Sequence, residues 1–199
     1  MTVRVMLISP AMNAALREAR FDGDVPLDES GTRRARAAAG SGALPDADRR
    51  VSGSSRRCRE TAAALGLRTE NEPALRSWDM GHWRGRRMEE VGVSEPEGVS
   101  AWLTDPSAAP HGGESLLALC GRVGDWLESL PGDGGRVLAL TEPAVVRAAI
   151  VYALALPTEA FWRLDVAPLT LTELSGRAGR WNLRCGRPLE HGGAGQDDD

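Results

Sequence analysis

Short apolar runs rich in β-forming residues alternate with helical patterns along this chain, and this alternation constrains its fold more than any other feature. Strands are predicted over residues 3–8, around Val51 and over residues 135–141. After each run comes a polar junction and then a helical pattern. Strands that alternate with helices form a sheet with helices packed on both faces. The sequence therefore predicts an α/β protein.

Helical patterns and a hairpin signal complete the predicted order of elements. Helices are predicted over residues 32–40, 56–67, 113–130 and 144–156. The segments LTLTEL and RWNLR predict a C-terminal edge hairpin. The apolar residues suffice for a single domain over residues 1–188. Residues 189–199 end in QDDD and are predicted to be a disordered acidic tail.

The composition excludes several classes of function. All 24 basic residues are arginines, so catalysis by a lysine amine is excluded. The formal net charge of -4 gives no general attraction to nucleic acid. Three widely spaced cysteines without CxxC spacing favour neither a disulfide scaffold nor a zinc site. No segment approaches the roughly 20 apolar residues of a membrane span. We therefore expect a cytoplasmic protein without contact to membranes or nucleic acid.

Three junctions between a strand and the following helix are candidate parts of a ligand site. They are ISPAMN after the first strand, SGSSRR after the second and LTEPAVV after the third. In open α/β sheets, ligands bind where the carboxyl ends of the strands meet the following helices. The polar side chains of these junctions are therefore expected to surround one pocket.

Five motifs in register resemble the histidine phosphatase superfamily, which has the phosphoglycerate mutase-like fold. They are DVPLDESGTRRA at 24–35, SGSSRRCRETA at 52–62, LRSWDMGHWRG at 75–85, HGGES at 111–115, and the strand RVLALT followed by VVRAAI. The resemblance covers roughly residues 3–184. It implies a three-layer α/β/α sandwich with a mostly parallel central sheet, and it requires neither a metal nor an organic cofactor.

The resemblance also implies a chemistry that this sequence lacks. Members with phosphatase activity have Arg-His-Gly after the first strand, and this histidine takes the phosphoryl group. Two arginines and a second histidine bind the phosphate, and a carboxyl group acts as general acid. Here the Arg-His-Gly positions fall on Ser9, Pro10 and Ala11. Proline offers neither a nucleophile nor an N–H group, so phosphohistidine chemistry at this position is excluded.

The other catalytic positions are replaced as well. The acid position falls on Ser77 and the second histidine on Glu142, while Pro143 stands where a subgroup of the superfamily has its acid. Of the core set, Arg57 alone is retained. Exchanging positive groups for a carboxylate would repel a phosphate dianion. We therefore expect a degenerate member that lacks phosphatase and mutase activity.

Two hypotheses for its function follow. In the first, the pocket is reused for proton transfer, dehydration or cyclisation of a small metabolite. Glu142 would then be the acid or base, Arg57 would anchor an anionic ligand, and Ser9, Asn13, Ser77 and His82 would complete the binding site. In the second, the protein is a pseudophosphatase that binds a ligand or a protein partner, and Arg57 with Glu142 forms a buried structural ion pair. The first is slightly preferred, and residual phosphatase activity is the least favoured.

Two further features bear on the pocket. Trp78, Trp83 and Trp102 fall where relatives have the loop and lid over the pocket, so they form either an aromatic ligand site or a support for the lid. Glu114 of the GGES turn is predicted in the first turn of the long helix, where a carboxylate suits the helix dipole. The superfamily includes monomers, dimers and tetramers, so a homo-oligomer is compatible with the resemblance.

Overall fold

A mixed six-stranded sheet forms the centre of the protein. The computed structural model describes residues 2–21, 23–131, 134–177 and 179–189. The strands are β1 (Val3–Ile8), β2 (Arg49–Ser52), β3 (Glu70–Asn71), β4 (Gly135–Leu140), β5 (Thr170–Arg177) and β6 (Arg180–Pro188). Their spatial order is β3-β2-β4-β1-β5-β6. Strands β3, β2, β4 and β1 run parallel to one another, and β5 and β6 add an antiparallel hairpin beside β1.

Seven α-helices connect the strands in the described part of the chain. They are α1 (Ala14–Arg17), α2 (Glu29–Gly40), α3 (Arg56–Ala64), α4 (Met88–Ser94), α5 (Pro96–Thr104), α6 (Leu116–Ser129) and α7 (Pro143–Ala153), and 3-10 turns occur at Pro73–Leu75, Gly81–Trp83 and Thr158–Arg163. Helix α2 begins earlier than predicted because the Asp28 side chain caps it by accepting from the Gly31 N–H. Glu114 does not lie in the first turn of α6, where it was predicted. Ser115 caps this helix, so Glu114 precedes it.

The two faces of the sheet bury separate cores. On one face Val3, Val5 and Leu7 of β1 pack in a cluster with residues of α6 and α7. On the other face Met6 and Ile8 pack in a cluster with residues of α2 and α3. Alternate side chains of a strand point to opposite faces, so the continuous apolar run from Val5 to Ile8 can be buried only if both faces are covered. The predicted three-layer sandwich is therefore confirmed.

The C-terminal ends of three parallel strands meet at one edge of the sheet. Ile8 pairs with Leu140, and Ser52 pairs with Leu140 from the other side. The residues after these strands therefore face the same region. The segment between β3 and α6 supplies buried tryptophans, Trp78, Trp83 and Trp102, to the core next to it. No helix within the described ranges is long and apolar enough to cross a membrane.

The end of the described chain lies against the body of the protein. Leu189 is buried, and its N–H donates to the Leu169 carbonyl. Leu189 is the first residue after the domain boundary predicted at 188. The rest of the predicted acidic tail, residues 190–199, lies outside the described residues.

Candidate functional site

The predicted junctions meet at the C-terminal edge of the sheet. Thr141, directly after β4, donates its N–H to the Ile8 carbonyl at the end of β1 (3.0 Å). Gly53, directly after β2, donates its N–H to the Leu140 carbonyl (2.9 Å). Ser55 and Glu142 hold the N-cap positions of α3 and α7. Two helices therefore begin side by side at this edge.

The Glu142 carboxylate lies at the centre of this junction. One oxygen, Oε2, lies 2.5 Å from Nη2 of Arg57. The other, Oε1, accepts from the Ser55 hydroxyl (2.7 Å) and lies 3.6 Å from the Cys58 sulfur. Arg57 is 4% exposed and Glu142 is 8% exposed. The structure thus holds these two predicted site residues in a buried ion pair with two further donors.

The surroundings of this junction favour the neutral form of the Cys58 thiol. Burial, and secondarily the negative charge of Glu142, raises the pKa of the Cys58 thiol well above its usual range. The thiol therefore stays protonated and donates to the carboxylate. Cys58 is a buried donor in this site and cannot serve as a thiolate nucleophile.

The turn after β1 presents no reactive group. The Ser9 hydroxyl donates to the Ala167 carbonyl (2.5 Å) and accepts from the Thr170 N–H (3.1 Å). Pro10 is buried, and the Ala11 N–H donates to the Thr61 hydroxyl (3.1 Å). The hydroxyl of Ser9, a predicted substrate-binding residue, ties the end of β1 to the segment before β5.

A cavity of about 290 Å³ lies beside the ion pair. It brings together four of the predicted site residues, namely Asn13, Arg57, Ser77 and Glu142. Its volume is close to the lower end of the range for small-molecule sites, roughly 300–1,000 Å³. Asn13 also has a local role, because its side chain caps α1 and donates to the Val25 carbonyl (3.1 Å).

Aromatic rings form one wall of the cavity. Trp102 lies 5.5 Å from Trp78 and 4.6 Å from Trp162, measured between ring centroids. Phe161 lies 5.4 Å from Trp78 and 5.1 Å from Trp162. All four rings line the cavity, whereas the fully buried Trp83 supports Trp102 from behind (5.7 Å). Of the three tryptophans predicted at the pocket, two line it and one supports it.

His82, a further predicted substrate-binding residue, does not line the cavity. Its Nδ1 lies 2.8 Å from the His111 carbonyl, and its Nε2 lies 2.9 Å from the Glu95 carboxylate. Glu95 also accepts from the Trp83 indole (2.9 Å) and from Arg86 (2.6 Å). The backbone turn at Gly81–Trp83 directs the imidazole to this network on the protein surface.

Several residues of the cavity were missed by sequence reasoning. They are Arg20, Phe21, Arg147, Phe161 and Trp162. Arg147 could have been predicted as a site residue from the sequence, because it is the one charged residue in an otherwise apolar α7. Phe161 and Trp162 belong to the 3-10 turn after α7, and no pattern in the sequence connects that turn to the strand ends.

Comparison with known proteins gives one family and several relatives. Residues 11–186 match the histidine phosphatase superfamily (branch 1). A glucosyl-3-phosphoglycerate phosphatase of Mycobacterium tuberculosis is 34% identical over 93 residues, which are 43% of this chain. The match spans 42% of that relative, which is less than half of its length.

Two solved structures resemble this fold over almost its full length. The α-ribazole phosphatase of Shigella flexneri has a TM-score of 0.81 at 21% identity and covers 94% of this chain and 98% of its own. A mycobacterial glucosyl-3-phosphoglycerate phosphatase in complex with inorganic phosphate has a TM-score of 0.74 at 26% identity, with 92% and 95% covered. The family match spans most of the chain and the fold agrees with it, so this protein belongs to the histidine phosphatase superfamily.

Proposed function

We propose that this protein carries out no phosphohistidine chemistry and that its cavity holds a small, non-phosphorylated metabolite. The observation that carries the proposal is the position of Glu142. Its carboxylate lies against Arg57, the one arginine of the implied phosphate site that this sequence retains. A phosphate dianion could reach this guanidinium only beside an existing negative charge, which repels it.

The positions of Pro10 and of the histidines also support the absence of phosphohistidine chemistry. Pro10 stands at the implied nucleophile position and has no group that could take a phosphoryl group. His82 is bonded to Glu95 at the surface. His111 is buried, and its Nδ1 accepts from the Gly113 N–H (3.0 Å). Neither of these two histidines lines the cavity. The third, His191, lies outside the described residues.

The contacts of Glu142 favour a binding function over catalysis by this residue. The carboxylate accepts from Ser55, Arg57 and Cys58. These donors occupy both carboxylate oxygens, so a ligand would have to compete with them for proton transfer. We therefore place binding of a small metabolite first. Proton transfer, dehydration or cyclisation by Glu142 stays as the second candidate, because the residue lines the cavity.

The named relatives bear on this choice. The curated relatives are glucosyl-3-phosphoglycerate phosphatases, which act on a phosphorylated substrate, so residual phosphatase activity is the competing proposal to test. It is the least favoured of the three, since the residues that would carry it are absent from positions 9, 10 and 142.

The test combines a phosphatase assay with a ligand screen. Purified protein is incubated with p-nitrophenyl phosphate, and in parallel with a metabolite panel read by thermal shift and mass spectrometry. We expect no turnover of the phosphate ester and at least one stabilising, non-phosphorylated compound. Turnover that Arg57→Ala abolishes and Arg56→Ala leaves intact would overturn the proposal. Conversion of a bound compound that stops in Glu142→Gln would establish the second candidate function.

A further inference from the structure

Four residues that line the cavity each carry a buried hydrogen-bond donor without a partner in the described part of the chain. The donors are Nε of Arg57, Oγ of Ser77, Nε1 of Trp102 and Nε of Arg147. A buried donor without an acceptor destabilises the fold, so several such donors around one cavity are unusual for a structural core. They point to a ligand that supplies acceptor atoms.

The charges around the cavity favour an anion. Three arginines and one glutamate line it, and Glu142 is already paired with Arg57. Arg20 forms an ion pair with Glu18, with 2.7 Å between Nε and Oε2. Arg147 has a weaker partner, since its Nη2 lies 3.8 Å from Asp165, whose side chain is 99% exposed. Water weakens an ion pair of this kind, so Arg147 is the cation best able to bind a ligand.

The surroundings of Arg147 suit an anion with an aromatic body. The guanidinium carbon lies 5.7 Å above the centroid of the Phe161 ring. This ring belongs to the aromatic wall formed with Trp78, Trp102 and Trp162. Offset or edge contacts with such rings stabilise a flat apolar group. An arginine beside an aromatic wall binds an acidic group at one end of the ligand while its body packs against the rings.

A carboxylate fits this site better than a phosphate. Glu142 adds a negative charge at the end of the cavity where its pair with Arg57 lies, and this charge opposes a dianion more than a monoanion. The unpaired donors on Ser77, Trp102 and Arg147 are three separate groups, which a carboxylate and one further acceptor can satisfy. From these observations we infer that the cavity binds a small aromatic carboxylic acid. This inference rests on the proposed non-phosphoryl function and names its ligand class.

Binding is tested with simple aromatic acids and their neutral amides. Benzoate, phenylacetate and indole-3-acetate are titrated by calorimetry against the full chain, each beside its amide, with inorganic phosphate as a further probe. At least one acid is expected to bind at least tenfold more tightly than its amide, because the ionised group gains a charge-assisted bond. Equal affinity of acid and amide, or absence of binding by all three acids, would overturn the inference.

Two variants with matched controls locate the site. Arg147→Gln is expected to remove the preference for the acid over the amide, whereas Arg163→Gln on the exposed face of the next turn leaves it unchanged. Trp102→Phe keeps an aromatic ring and removes the indole N–H, so affinity is expected to fall about fivefold to tenfold. Trp126→Phe removes another buried, unpartnered indole N–H that does not line the cavity, and it should leave affinity unchanged.

The outcomes separate this inference from the proposed function. Tighter binding of inorganic phosphate than of every acid, without turnover of p-nitrophenyl phosphate, would overturn the carboxylate assignment but leave the absence of phosphohistidine chemistry standing. Turnover of the phosphate ester would overturn the proposed function itself. Loss of acid binding in Arg163→Gln or Trp126→Phe as well as in the cavity variants would place the ligand elsewhere and overturn the inference.

Discussion

Nη2 of Arg57 lies 2.5 Å from Oε2 of Glu142, and both side chains are almost fully enclosed. The pair joins the first turn of α3 to the N-cap of α7, and it occupies the place where the family resemblance implies a phosphate site. A buried arginine without a partner would be costly. The carboxylate therefore neutralises this buried cation.

The energetics of this pair can be measured by a double-mutant cycle. Glu142→Leu or Arg57→Met alone leaves one buried charge, so each is expected to lower the free energy of unfolding by about 3–5 kcal/mol. The double variant removes both charges and should lie within about 1 kcal/mol of the parent protein. Urea unfolding followed by circular dichroism gives all three values. A double variant that loses the sum of the single effects would contradict the ion-pair interpretation.

Restoring a histidine at position 10 alone should not restore phosphatase activity. In Pro10→His the imidazole would face a site whose arginine is still paired with Glu142, so the phosphate would remain excluded. We expect no turnover of p-nitrophenyl phosphate above that of the parent chain. Pro10→Ala serves as the control for removal of the proline ring. Turnover by Pro10→His would show that the pair does not block phosphate.

The surface pair of His82 and Glu95 should give a pH-dependent stability. The hydrogen bond to Glu95 is the main cause that raises the pKa of His82. The stability that His82 contributes through this pair is fully present below the ordinary histidine pKa of about 6.5. It is lost as the pH rises through the raised pKa. Hydrogen bonds, first that of Trp83, lower the pKa of Glu95 to about 2. The stability that Glu95 contributes is present above the ordinary glutamate pKa and is lost as the pH falls towards about 2.

The melting temperature should therefore respond to His82→Gln differently at different pH. We expect a larger loss at about pH 5.5, where the histidine is charged and bonded to Glu95, than at about pH 9. His111 provides a contrast, because burial lowers its pKa and its protonation at low pH destabilises the fold. A loss from His82→Gln that is independent of pH would mean that the ring contributes packing and not charge.

Cys58 should be unreactive in the folded protein. The residue is fully buried, and burial raises the pKa of its thiol. Alkylation by iodoacetamide at about pH 8 is expected to proceed only through unfolding, at least a hundredfold more slowly than in urea. Peptide mass spectrometry measures modification at this residue specifically. Rapid labelling under native conditions would show that the junction between α3 and α7 opens.

The sequence alone was sufficient to predict the class of fold. The apolar runs at β1 and β4 require cover on both faces, and the helical patterns between the strands supply it. The sequence also shows which residues follow these strands, among them the proline at position 10 and the carboxylate at position 142. Local patterns carry this information because strand and helix periods depend on neighbours in the chain.

Which side chains meet in the cavity was decided by the tertiary structure. Ser9 and His82 are close to the predicted site in sequence, yet packing directs their side chains to the segment before β5 and to Glu95. Arg147 and Trp162 join Trp102 at the cavity through contacts between segments distant in the chain. The direction of a side chain depends on the element packed against it, and no local pattern encodes that neighbour.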